Sequence, residues 1–194
     1  MGCHRFDPEN AAALLDDKRA RLLDMHWLID QLALRPGAVC LDVGAGNGLF
    51  TLPLANASGG TVYAVDIEPR MLALLETRAA QHAVDTVVTI IGSAEQLPLP
   101  RSSVDAFIAG FVLHEVLGRV TAVAELARVV KPGGRGAVVE WADKRGELGP
   151  PSHERIASAQ LTQEFSAAGF SVENAVVTDE IYILVLRRGG GDHV

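Results

Sequence analysis

From position 38 onward, short apolar runs rich in β-branched residues alternate with stretches that repeat their apolar positions at helical spacing. The pattern predicts strands at 38–43, 61–66, 86–91, 104–109, 136–141, 174–179 and 181–187, and helices near 48–57, 69–82, 114–130 and 159–168. Strands separated by helices in this way build βαβ units and a mostly parallel sheet. Pro69 suits the first turn of its helix, and Lys131-Pro132-Gly133-Gly134 ends the helix before it. The last two strands have almost nothing between them. A parallel crossover needs a dozen residues or more, so they pair as an antiparallel hairpin. The fold class expected is α/β, a seven-stranded, mostly parallel sheet with an antiparallel C-terminal hairpin and helices on both faces.

Residues 9–34 also carry a helical pattern, with Leu14, Leu15, Leu22, Leu23, Trp27 and Leu32 available for one face. Two readings stand side by side: a lid over a ligand crevice, or a helix that covers the sheet. Residues 142–158 form a polar insertion rich in Gly and Pro, and 189–194 read as a frayed tail. No linker or repeat divides the chain. The expectation is one domain over 1–188, with 1–35 as a helical lid and 36–188 as the α/β core.

Composition narrows the function classes. A chain of 194 residues with 48% apolar residues can bury a core, and its net charge of −7 argues against a broad surface for nucleic acid. Cys3 and Cys40 form neither a disulfide framework nor a zinc pattern, and no metal site is expected. The start MGCHRFDPEN lacks a basic segment followed by an apolar one, and the apolar stretch 104–113 is too short for a bilayer. These features predict a cytoplasmic protein without a membrane span.

The most informative junction is Val39-Cys-Leu-Asp-Val-Gly-Ala-Gly-Asn-Gly48. A strand that stops in three alternating glycines lets a ligand approach the backbone. A dinucleotide fingerprint would place its third glycine at position 49, which is Leu49. Asp42 also precedes the loop, where a carboxylate repels a pyrophosphate and attracts an ammonium group. At the next strand end, Asp66 can accept both hydroxyls of a ribose; the alternative role is a helix N-cap before Pro69. After the third strand, Gly92-Ser-Ala-Glu-Gln-Leu-Pro98 offers backbone groups and a short side chain to a purine edge.

Taken together, VCLDVGAGNG, AVDIEPRML, GSAEQLPLPRSSVDAF and ELARVVKPGGRGAVVEW resemble the Rossmann-like class I S-adenosylmethionine-dependent methyltransferases. The nearest branch is that of the ubiquinone/menaquinone-type C-methyltransferases, and the resemblance covers about residues 36–188. It implies that Gly44, Ala45, Gly46 and Gly48 cradle the methionine part of S-adenosyl-L-methionine while Asp42 orients its amino group. It implies further that Asp66 holds the ribose, that Ile67 packs on adenine, and that Ser93, Ala94 and Glu95 lie along the adenine edge. Ser93 departs from the family, where an aspartate more often meets the exocyclic amine. Phe111 would contact the cofactor.

After the fourth strand the chain reads Gly110-Phe-Val-Leu-His-Glu115, not the Asn/Asp-Pro-Pro-aromatic stretch of base N-methylating relatives, so C- or O-methylation of a small-molecule acceptor is favoured. His114 and Glu140 are the candidate bases, with packing as the competing role for His114. Trp141 offers an aromatic wall or ordinary core, and His153 and Glu154 either close over substrate or stay solvated. A non-catalytic cofactor-binding module and a nicotinamide oxidoreductase are the rival functions, and the glycine spacing counts against the second. An arsenite-type enzyme would need thiols that two cysteines do not supply. The pocket walls would come from the N-terminal helices, from 142–158 or from a partner subunit, which leaves room for a homodimer.

Overall fold

The computed structural model describes residues 22–142 and 148–190. Its strands are β1 (Cys40–Val43), β2 (Val62–Asp66), β3 (Val87–Ile91), β4 (Val104–Gly110), β5 (Val130–Trp141), β6 (Phe170–Val177) and β7 (Ile181–Arg188). The helices are α1 (Met25–Gln31), α2 (Thr51–Ser58), α3 (Pro69–Gln81), α4 (Arg119–Val129) and α5 (Ser158–Ala167). All seven strands share one sheet in the order β3-β2-β1-β4-β5-β7-β6. Pairing is parallel from β3 to β5, and β7 runs antiparallel to both β5 and β6. The expected architecture is therefore present, with the reversed strand inserted between β5 and the edge strand β6.

The central strands are apolar on both faces because helices cover both. Leu41 and Val43 of β1 and Phe107 and Ala109 of β4 join the core under α4 and α5. Cys40, Ala106 and Ile108 face the opposite layer, with α1 and α2. The period of two thus places Asp42 on the α2 side, where it is fully buried. Local signals start the helices as well. Glu68 caps α3 by accepting from the Arg70 N–H ahead of Pro69, and Asp24 accepts from the Trp27 N–H at the start of α1.

Several boundaries differ from the sequence reading. The helix expected over 114–130 begins only at Arg119, after a 3₁₀ turn at Leu113–Glu115. Lys131-Pro132-Gly133-Gly134 follows a helix already ended at Val129 and bulges within β5, where pairing with β4 jumps from Val104↔Val130 to Ala106↔Arg135. β6 starts at Phe170, earlier than expected, since Gly169 with φ +87 turns the chain out of α5 directly into the sheet.

Asp24 interrupts the N-terminal helical pattern, and α1 packs its Leu28 and Ile29 on the α2 face of the sheet. Arg135 donates to the Gln31 carbonyl and fastens this helix to β5. No residue of α1 lines the main cavity. Leu14, Leu15 and the rest of residues 1–21, like 143–147 and the tail after 190, lie outside the described residues. No helix of the described residues is long and apolar enough to cross a membrane.

Candidate active site

The sheet order reverses between β1 and β4, the place where open α/β sheets bind ligands beyond their carboxyl ends. A cleft of about 720 Å³ lies there. Its walls come from the loop after β1, the ends of β2 and β3, the segment after β4 and the residues following β5.

The glycine loop is built tightly. The N–H groups of Gly44 and Ala45 donate to the Val65 carbonyl, and the Gly46 N–H donates to Asp66 Oδ2 at 2.7 Å. Gly44 has φ +68, and a Cβ there would lie inside the Val112 side chain, so the loop packs directly on the segment after β4. Gly44, Ala45 and Gly46 line the cleft. Gly48 does not: it faces Leu75 of α3 and serves helix packing instead of ligand approach.

Two carboxylates flank this loop, Asp42 buried and Asp66 part-buried. Asp42 Oδ2 accepts from the Thr51 hydroxyl at 2.6 Å, whereas Oδ1 is buried without a hydrogen-bond partner. Burial pushes the Asp42 carboxyl up to about 7, opposed by the Thr51 hydrogen bond. Asp42 sits behind the cleft wall, not on it. Asp66 does line the cleft. It accepts from the Gly46 N–H and, through Oδ1, from the Glu68 N–H at 2.9 Å. Burial raises its carboxyl as well, against those backbone bonds. A carboxylate has about four lone-pair sites, so both oxygens retain acceptor capacity.

Ile67 is an apolar side chain left 51% exposed on the cleft wall. Ser93, Ala94 and Glu95 line the same region. Ser93 Oγ accepts from the Glu95 N–H, and Glu95 Oε1 accepts from the Gly118 N–H, which ties this loop to the start of α4. A second brace escaped the sequence reading. Glu125 accepts from the Leu97 N–H, and Arg128 donates to the carbonyls of Leu97 and Leu99. The Glu125–Arg128 spacing is visible in sequence, but the carbonyls it holds are some thirty positions away.

On the other side of the switch point, His114 and Glu140 form a buried pair. His114 Nδ1 lies 2.9 Å from Glu140 Oε2, and Glu140 also accepts from the backbone N–H groups of His114 and Trp141. His114 Nε2 stands 3.7 Å from Glu115 Oε1. His114 lines the cleft; Glu140 lies beneath it. Phe111 holds the left-handed region at φ +55, a strained position for a bulky side chain, and its ring stands between Phe50 and Trp141 at centroid distances of 6.2 and 4.6 Å. Trp141 is both wall and core, buried yet lining the cleft, with Gly149 against its ring. Arg155 pins 148–150 beside it through the carbonyls of Ala142, Leu148 and Pro150. Glu154 lines the cleft, whereas His153 is exposed outside it.

A sequence model of the family described as Methyltransferase domain matches residues 41–138. The ubiquinone/menaquinone biosynthesis C-methyltransferase of Burkholderia mallei is 35% identical over 133 residues, or 66% of this chain and 54% of that protein. The chain thus spans about half the length of the curated relatives it matches. Among solved structures, a SAM-dependent methyltransferase from Aquifex aeolicus is similar at a TM-score of 0.87 and 27% identity, over 94% of this chain and 99% of that one. The [4+2]-cyclase SpnF shares the fold alone, at a TM-score of 0.78 and 23% identity over 88% of this chain and 81% of its own. The chain belongs to the methyltransferase-domain family and is a class I S-adenosylmethionine-dependent methyltransferase related to the ubiquinone/menaquinone C-methyltransferases. S-adenosylmethionine is accordingly its cofactor.

The residues present fit that cofactor. Asp42 Oδ1 is an unfilled acceptor beside the glycine loop, suited to an ammonium group or its bound water. Asp66 stands on the wall with acceptor capacity for hydroxyls, and the half-exposed Ile67 offers a face to a purine. If Asp66 holds the ribose, Asp66→Ala weakens S-adenosylmethionine by about 2–3 kcal/mol in a calorimetric titration, as loss of hydrogen bonds to a charged group does. Unchanged affinity would remove that role.

Proposed function

We propose that this chain transfers a methyl group from S-adenosylmethionine to a carbon or oxygen of a small-molecule acceptor, with His114 as the base. The observation that carries this reading is the buried His114–Glu140 pair in the segment facing the glycine loop across the switch point. When bound, the cofactor supplies an already activated methyl group on its sulfonium.

The remaining work falls to the protein. The glycine loop, Asp42 and Asp66 fix the donor's methionine and ribose, and Ile67 with Ser93, Ala94 and Glu95 encloses the adenine. Val112 packs on Gly44, so the acceptor segment and the donor loop are held in one fixed relation. Alignment of this kind contributes about 7–11 kcal/mol. Glu140 accepts from Nδ1–H and thereby leaves Nε2 as the basic nitrogen, which takes the proton of a hydroxyl or an acidic carbon. Phe111 and Trp141 wall the acceptor side and exclude water.

The similarity to the ubiquinone/menaquinone biosynthesis C-methyltransferase of Burkholderia mallei supports C-methylation in particular. The test is acceptor-dependent release of S-adenosylhomocysteine, with the methylated atom located by NMR. Donor binding without turnover on any phenol, enol or quinol would instead favour a non-catalytic binding module.

A further inference from the structure

We infer that two copies of this chain associate edge to edge through β3, forming one continuous sheet across a two-fold axis at Thr89. Among the described residues, β3 and β6 are the two edges of the sheet. Edge strands carry main-chain donors and acceptors that template further pairing, and folded proteins blunt them with charges, prolines or bulges. β6 is blunted in this way. Glu173 lies within it, ion-paired to Arg135 and Arg187, and its pairing with β7 shifts register between Val172 and Asn174. β3 is not. Its sequence Val87-Val-Thr-Ile-Ile91 holds no charge, proline or glycine, and it pairs with β2 without a shift.

Backbone alternation decides which groups the edge offers. The Thr86 carbonyl accepts from the Val62 N–H, and the Gly92 N–H donates to the Asp66 carbonyl, so even-numbered residues turn toward β2. Val87, Thr89 and Ile91 therefore turn their N–H and C=O groups outward. An antiparallel copy centred on Thr89 matches all of them: Thr89 faces Thr89, and Val87 faces Ile91 of the second copy, as hydrogen-bonded pairs. The side chains match as well. Val87 packs with Ala64 and Ala79 on the α3 face of the sheet, Thr89 bonds Glu76 of α3, and the period of two adds Ile91 to that face. Ile91 is 63% exposed. At the other end of the strand, Ala79, Ala80, Ala83, Val84 and Val87 line a groove of about 520 Å³. The two-fold sets Ile91 of each copy beside Val87 of the other, at the mouth of that groove. A strand with an apolar knob at one end and an apolar hollow at the other is its own complement, which selects a second copy over an unrelated chain. The two Glu76 carboxylates meet near the axis, and their repulsion weakens the pairing. Val87, Thr89 and Ile91 do not line the cleft, so the cofactor site stays open.

The test is sedimentation equilibrium of the full chain up to millimolar concentration, where a reversible monomer–dimer equilibrium is expected. Ile91→Glu sets a negative charge against Glu76 and Asp85 of the groove and should weaken dimerisation at least tenfold. Glu76→Gln removes the repulsion at the axis and should tighten it several-fold. Calorimetric binding of S-adenosylhomocysteine, unchanged in both variants, shows that each is folded. Cross-linking then locates the contact. In a Cys3→Ser background, with Cys40 buried, Thr89→Cys should join two copies through a short bismaleimide, whereas Val177→Cys on the exposed part of β6 should not. A native chain that stays monomeric throughout overturns the inference, as does a dimer that Ile91→Glu leaves intact. So does one that cross-links through Val177→Cys in place of Thr89→Cys.

Discussion

His114→Asn lowers kcat for methyl transfer by about 10²–10⁴-fold and leaves the affinity for S-adenosylmethionine unchanged. The split follows from where the side chain stands. His114 belongs to the segment after β4, whereas the glycine loop and Asp66 stand at the ends of β1 and β2, so donor binding is not expected to depend on it. Asparagine retains a hydrogen-bond donor for Glu140 but has no basic nitrogen. A merely structural histidine would give another result: lost stability, equal effects on kcat and on binding, and no recovery with added base. His114→Ala therefore serves as the companion variant, and imidazole in solution should restore part of its turnover. Glu140→Gln is expected to lower kcat less, with cofactor affinity intact. Its amide brings N–H donors to a place where the ring nitrogen and two backbone N–H groups all seek an acceptor. If His114→Asn turns over at the native rate, the base assignment fails.

The fold was legible because its signals are local and repeated. Apolar runs of strand length, Pro69 at the first turn of its helix and the near-absence of a connection between the last two strands each dictate one answer, although the cap before Pro69 is Glu68 and not Asp66. Misplaced boundaries occur where a longer-range pairing decides. β5 absorbs Lys131-Pro132-Gly133-Gly134 as a bulge because Arg135 must align with Ala106 of β4, which no window around 131–134 reveals. The site divides in the same way. Gly44, Ala45, Gly46, Asp66, Ile67 and Ser93 stand where the motifs place them, around one cleft. Gly48 reads identically to its neighbours in sequence, yet it meets Leu75 of α3 instead of the cleft. Glu140 looked like a second base and lies beneath His114, since a strand of period two points residue 140 to one face and Trp141 to the other. Thr51, Glu125 and Arg128 escaped notice because each acts on an element remote in sequence.

Asp42 predicts the second large effect, on stability against pH. Its folded carboxyl is pushed up to about 7 from an ordinary 3.8, chiefly by burial. A group whose folded value is raised favours the native state only in its protonated form. The native state thus binds more protons than the unfolded chain between those two values, and stability falls as pH rises through that window. The rise corresponds to a loss of native stability of about 4 kcal/mol, absent below about pH 4 and complete above about pH 7. Asp66, raised by burial, acts in the same direction. Glu125, Glu164 and Asp105 act oppositely: ion pairs with Arg128, Arg119 and Lys131 lower them, so they add stability that is lost on acidification. The total curve therefore mixes signs, and the difference between native protein and Asp42→Asn isolates the one carboxyl. In urea unfolding from pH 4 to 8, that variant should gain on the native protein steadily up to about pH 7 and then hold level. If the donor's ammonium group, or water bound to it, reaches Oδ1, it favours the ionised form, and bound S-adenosylmethionine should then flatten the native curve, with its affinity tightening as Asp42 ionises. Asp42→Asn should lose that tightening. A native protein whose stability relative to Asp42→Asn is independent of pH would show that the carboxyl is already ionised, and the linkage to the donor would fall with it.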